Sequence, residues 1–129
     1  MILDTSAIVA ILAQEPGADS YIEAISHAVA CRISAANFVE LSMVLEGQFG
    51  AELLRQSDAL LRRISVVIEP VTVAQAHAAR QAFHDFGKGR HPAALNFGDC
   101  FAYALAKLRS EPLLFKGNDF TQTDVVPAL

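Results

Sequence analysis

The sequence predicts an α/β fold, with a central, mostly parallel β-sheet flanked by helices on both faces and a single domain over residues 1–129. Short apolar runs (MILDT, AVACRIS, SVVIEPV and PLLF) alternate with longer stretches of helical periodicity. Strands separated by helices need crossover connections, and these produce parallel sheets covered on both sides. At 129 residues, 53% hydrophobic and 19% charged, the chain is large and apolar enough to bury one sizeable core.

The elements follow in order. MILDT reads as a short buried strand, and Ser6 can cap a helix running to about Ala13, where EPG breaks it. A second short helix is expected over 18–26, then the strand AVACRIS and a helix over 36–48 with Phe38, Leu41 and Leu45 on one face. Phe49-Gly50 ends it, and an amphipathic helix over 52–64 precedes SVVIEPV, a strand stopped by Pro70. A helix over 73–86 leads into the loop GKGRHPAALN, marked by two glycines and a proline. FGDCFAYALAKLR is a helix with Phe101, Leu105 and Leu108 on one face, and PLLF is the last strand.

Composition excludes several classes. The apolar run AIVAILA stops at seven residues, far short of the roughly 18 a membrane span needs. No basic residue precedes Asp4, so the start does not read as a signal peptide, and a soluble, cytoplasmic protein is expected. Cys31 and Cys100 lack CxxC spacing and suit buried, reduced thiols. His27, His77, His84 and His91 form no zinc pattern. There is no GxGxxG, no GxxxxGK[ST] and no GxSxG. A net charge of −4 argues against a protein that coats nucleic acid nonspecifically.

Chemistry is expected from acids at the strand ends. Asp4 sits at the end of the first strand among aliphatic residues, where an unpaired carboxylate is costly. Asp119 follows PLLF, Asp99 lies in the first turn of the helix before it, and Glu40 interrupts the apolar stretch NFVELSMVL. In open parallel sheets ligands bind outside the carboxyl ends of the strands. Carboxylates converging there stay ionised together only with a cation between them, and Mg²⁺ or Mn²⁺ suits an all-oxygen site. Such a site serves phosphodiester chemistry.

MILDTSAIVAIL, Glu40, LNFGDCFAYALAK and PLLFKGNDF together resemble the PIN-domain ribonucleases, specifically the VapC toxins of toxin–antitoxin pairs, from residue 1 to about residue 126. The resemblance implies a Mg²⁺-dependent endoribonuclease that cuts structured RNA such as tRNA. It also implies inhibition by a cognate VapB-type antitoxin and a homodimer. Carried over residue by residue, the family's acidic quartet falls on Asp4, Glu40, Asp99 and Asp119, as catalytic and metal-holding groups. At the fourth position Asn118 and Asp124 stand close by, so Asp119 and Asp124 both remain open. Thr5 or Ser6 resembles the hydroxyl that supports the first aspartate.

Two other readings compete. A PIN-like module that has lost catalysis would serve only as a binding partner, which the presence of all the acids disfavours. A phosphoacceptor receiver domain shares the length and could use Lys116, yet Asp4 has no acidic neighbour and the third strand ends in Glu69-Pro70. Two surfaces are also predicted. Lys88, Arg90 and His91, in a loop leading to Asp99, would grip the RNA backbone. Ile8, Ile11 and Leu12, beside the Phe38 and Leu41 face, would form a groove for an antitoxin helix that sends an arginine toward the acids.

Overall fold

The computed structural model describes residues 1–129. The first strand, β1 (Ile2–Leu3), ends at Asp4 and the chain turns directly into helix α1 (Thr5–Leu12). Asp4, not Ser6, caps that helix, its carboxylate accepting the Ser6 backbone N–H at 2.9 Å. A carboxylate cap adds negative charge beside the unpaired N–H groups of the first turn. The helix therefore starts before Ser6, and the strand is only two residues long.

The remaining elements come in the predicted order: α2 (Ala18–His27), β2 (Arg32–Ser34), α3 (Ala35–Gln48), α4 (Ala51–Arg63), β3 (Val67–Glu69), α5 (Val73–Phe86), α6 (Phe97–Arg109) and β4 (Leu113–Leu114), followed by a 3₁₀ turn (Asp119–Gln122). All strand pairs are parallel, in the order β3-β2-β1-β4. From β1 the chain builds outward through β2 and β3, then returns to lay β4 on the other side. That reversal puts a switch point between β1 and β4, the place where such sheets bind ligands.

Side chains alternate across the sheet, and the core splits accordingly. Ile2 and Leu113 point into a cluster completed by Leu95, Leu105 and Phe120, while Leu3, Ile33 and Leu114 point into another with Ile8, Leu41 and Leu45. Truncating any of these to alanine should cost about 2–5 kcal/mol. The sequence-predicted stripe on α6 needs correction: Leu108 is exposed, and Gly98, Asp99, Cys100 and Ala102 join Leu105 inside. This helix lies between the sheet and α5, and its alanines let both approach.

One further expectation changes. Ile8 and Leu41 are fully buried in the core, so they are not free to line an antitoxin groove. Lys116, the lysine a receiver domain could use, is instead paired with Glu15, and Glu69 at the end of β3 is paired with Arg32. Cys31 and Cys100 are free, buried thiols, and burial together with the Asp99 charge pushes Cys100 up to about 11. No helix is long and apolar enough to cross a membrane.

Candidate active site

Asp4 leaves β1 at the switch point and is 4% exposed. One of its oxygens, Oδ2, accepts both the Ser6 N–H (2.9 Å) and the Ser6 hydroxyl (2.5 Å). The same hydroxyl accepts the Lys116 N–H at 3.0 Å, so Ser6 ties the end of β1 to the segment after β4. The other Asp4 oxygen has no partner. Burial raises the proton affinity of Asp4, the Ser6 bonds oppose that, and the Glu40 charge adds to it; the result is a pKa pushed up to about 6.

Asp99 is the third residue of α6 and forms a capping box with Asn96: each side chain accepts the other's backbone N–H at 2.9 Å. This engages Oδ2 and leaves Oδ1 without a partner. Burial is the main force on Asp99, and the charges of Asp4, Asp119 and Glu40 add to it, lifting its pKa to about 7. The other three acids of the predicted quartet thus all weigh on Asp99 across the crevice. The charges that weigh most on Asp99 are negative.

Glu40 reaches the crevice from the first half of α3. Its Oε1 accepts the Thr5 hydroxyl at 2.5 Å and the Asn37 amide at 3.2 Å, while Oε2 has no hydrogen bond. The carboxylate lies against Gly98 of α6, where a Cβ would come within 1.7 Å of Oε2. A glycine inside a helix weakens it, and here it is the approach of Glu40 that requires one. Asp119 opens the 3₁₀ turn after β4 and is exposed.

Asp124 lies elsewhere. It accepts the Tyr103 hydroxyl at 2.7 Å and pairs with Lys107 at 2.9 Å, and these partners hold its carboxyl below the usual range. Of the two acids left open by the sequence, only Asp119 is among the charges weighing on Asp99. Thr5 and Ser6 divide the supporting role, one bonding Glu40 and the other Asp4. The Asn118 side chain makes no cap bond to the 3₁₀ turn.

In the basic loop, Lys88 and Arg90 are exposed. Bonds between Lys88 N–H and Leu95 carbonyl (3.0 Å) and between Leu95 N–H and Phe86 carbonyl (2.9 Å) close its base. His91 is engaged locally, its Nδ1 accepting the Ala93 N–H at 3.1 Å and its ring packed edge-on to Phe86.

The donor set fits a hard divalent cation. Asp4, Glu40 and Asp99 each keep one oxygen tied by hydrogen bonds and one without a partner, and burial plus like charges disfavours the ionised forms of Asp4 and Asp99. As the side chains stand, no three His, Cys, Asp or Glu groups are close enough together to hold a metal ion. A cation would have to bring the unpartnered oxygens together while the bonded ones keep their partners. Sequence reasoning missed Asn37 and Gly98. Their signals were a polar residue one turn before Glu40 and a glycine inside a helix.

The PIN domain family matches residues 1–126 of this chain. A protein named VapC ribonuclease Mb0625, from Mycobacterium bovis, is 52% identical over 130 residues, spanning 100% of this chain and 98% of its own length. Ribonuclease VapC of Mycolicibacterium smegmatis is 48% identical over 125 residues, 97% of each chain. Among solved structures, Mycobacterium tuberculosis VapC20, described as a Sarcin-Ricin loop cleaving toxin, has the same fold with a TM-score of 0.77 at 16% identity, covering 97% of this chain and 95% of that one. The VapBC2 structure from Rickettsia felis, bound to a DNA fragment from its promoter, gives 0.72 at 17% identity over 98% and 94%.

Proposed function

This chain belongs to the PIN domain family, among the VapC ribonucleases, and from that membership we propose that it is the toxin of a type II toxin–antitoxin pair: a Mg²⁺-dependent endoribonuclease that cuts structured RNA such as tRNA. The observation that carries the metal reading is the gathering of Asp4, Glu40, Asp99 and Asp119 with no cation among the charges that weigh most on Asp99. Mg²⁺ or Mn²⁺ would be held by the unpartnered oxygens of Asp4, Glu40 and Asp99, with Asp119 closing the site. A divalent cation there supplies the acidified water and the positive charge that phosphodiester hydrolysis needs.

The chain's own residues fix the geometry. Ser6 and the cap bond hold Asp4, Asn96 holds Asp99, and Thr5 and Asn37 hold Glu40. Lys88 and Arg90 would meet the RNA backbone, with His91 shaping the loop that presents them.

A VapB-type antitoxin is the proposed inhibitor. With Ile8 and Leu41 buried, its apolar helix would rest on the half-buried Leu12, Phe38, Leu53 and Leu54. A homodimer is proposed through a different face. Val39, Met43 and Phe97 are exposed along α3 and α6 and line a groove of about 770 Å³. Sedimentation should show a dimer that Phe97→Glu dissociates; a monomeric wild type would contradict this.

Brief induction followed by sequencing of RNA 5′ ends tests the activity. New ends at a few structured sites, lost with Asp99→Asn and suppressed by co-expressing the adjacent open reading frame, are the expected result. Unchanged ends would overturn the reading.

A further inference from the structure

We propose that Asn37 is a positioning residue for the acidic site, its side-chain amide setting the separation between the Glu40 and Asp99 carboxylates and thereby the affinity for a divalent cation. The proposal rests on the reading that these acids hold such an ion.

Asn37 is fully buried on α3, one turn before Glu40. Its amide nitrogen makes two bonds that point in different directions. One goes to Glu40 Oε1 at 3.2 Å, within its own helix; the other crosses to the Gly98 carbonyl of α6 at 2.9 Å. Gly98 immediately precedes Asp99. The amide therefore bridges the carboxylate on one helix to the backbone beside the carboxylate on the other.

Two neighbours make the bridge stiff. Thr5 donates to the same Glu40 oxygen and also reaches the Asn37 carbonyl at 3.4 Å, joining the start of α1 to the pair. Gly98 lets the carboxylate and the helix approach to a distance that any side chain there would forbid.

Stability alone does not account for an asparagine here. Its Oδ1 is buried without a partner, which costs free energy that an apolar residue of similar size would not lose. What the residue provides is the pair of donor bonds, and both end at the acidic site. Residues that orient ligands from behind typically change metal affinity by roughly 10–100-fold when removed.

The test is a Mn²⁺ titration, read by the loss of the free-ion electron paramagnetic resonance signal, on Asn37→Ala and on the volume-matched Asn37→Leu. Folding of each variant is checked by circular dichroism, and either folded variant suffices. If both unfold, Asn37 is structural and the proposal fails. Mn²⁺ affinity should fall about ten-fold or more in the wild-type background. In a Glu40→Ala background the same substitution should change it less than two-fold, since there is no longer a pair to separate. Equal losses in both backgrounds, or none in the wild type, would overturn the role of Asn37. Asp99→Asn is measured beside them. If Asp99→Asn abolishes binding while Asn37 variants bind normally, only the positioning role is lost; if Asp99→Asn binds normally, the metal reading and the proposal both fall.

Discussion

Around the amino ends of β1, β2 and β4, the Met1 amine, Arg32 and Arg109 share Glu111, joined by Glu69 from the last position of β3, whereas outside the carboxyl ends of β1 and β4 the carboxylates gather without a cation. In the first region every charge has a partner: Met1 to Glu111 at 2.9 Å, Arg32 to Glu69 at 2.8 Å and to Glu111 at 3.2 Å, and Arg109 to Glu111 at 3.1 Å. Burial works against the Glu111 charge, yet the Met1 amine, Arg109 and Arg32 hold its carboxyl below the usual range. In the second region burial and like charges push Asp4 to about 6 and Asp99 to about 7. Lys116, the nearest lysine in sequence to Asp119, is paired with Glu15. One sheet thus carries a charge network that completes itself and another that needs something from solution. Only the second leaves carboxylates with no basic group paired to them.

The largest way to break this contrast is to remove charge from each end in turn. Asp4→Asn or Asp99→Asn should lower Mg²⁺-dependent RNA cleavage by on the order of 10²–10³-fold or more, while the metal-free protein stays folded. Glu111→Gln should do the reverse, leaving cleavage intact and lowering stability by about 1–3 kcal/mol in a denaturant titration. Similar effects on both readouts at both ends would erase the distinction.

A second intervention acts by sterics. Gly98→Ala should drive Glu40 from its place, because the new Cβ would overlap Oε2. Cleavage should drop roughly 10–100-fold, in line with displacing a group that orients a metal site, and an unimpaired variant would show that Glu40 is not needed there.

The two ends should also answer pH in opposite senses. Asp4 and Asp99 bind protons more tightly folded than unfolded, where an aspartate titrates near 3.8. Their stabilising contribution is therefore fully present below about pH 4 and is lost as pH rises through about 6 and 7, by up to about 1.4 kcal/mol per pH unit for each group. Glu111 is depressed, so its contribution is present at neutral pH and is lost as pH falls through its folded value. In metal-free protein, Asp99→Asn should remove part of the loss on the alkaline side, and Glu111→Gln part of the loss on the acid side. Melting curves from pH 3 to 8 separate them; parallel curves for all three proteins would contradict the assignment.

The smallest expected effect concerns the exposed loop. With a catalytically dead Asp4→Asn protein, Arg90→Ala should weaken all RNAs alike and flatten the slope of log K against log salt by about one unit or less. An unchanged slope and affinity would remove Arg90 from the RNA surface.

The parallel sheet, its helices and their order were legible because apolar runs and helical periods alternate clearly along the chain. Asp4 was legible too, as a carboxylate among aliphatic residues. Its capping role was not, since Asp4 and Ser6 can both cap and only the backbone path chooses between them. Asp119 and Asp124 could not be separated by sequence, because the choice depends on the turn after Phe115 and on Tyr103 and Lys107 reaching Asp124 from α6. Ile8 and Leu41 looked available because helical periodicity reveals an apolar face without revealing what already covers it.

The most direct measurement is the melting temperature of wild type and Asp99→Asn at pH 8, with and without Mn²⁺. Without the ion, Asp99→Asn should melt higher, because it lacks a buried, repelled charge. Saturating Mn²⁺ should raise the wild type by several degrees and leave Asp99→Asn nearly unmoved, as expected for a ligand that binds only the folded site. The same upward shift in both proteins, or no shift in the wild type, would contradict the claim that these acids form a cation site.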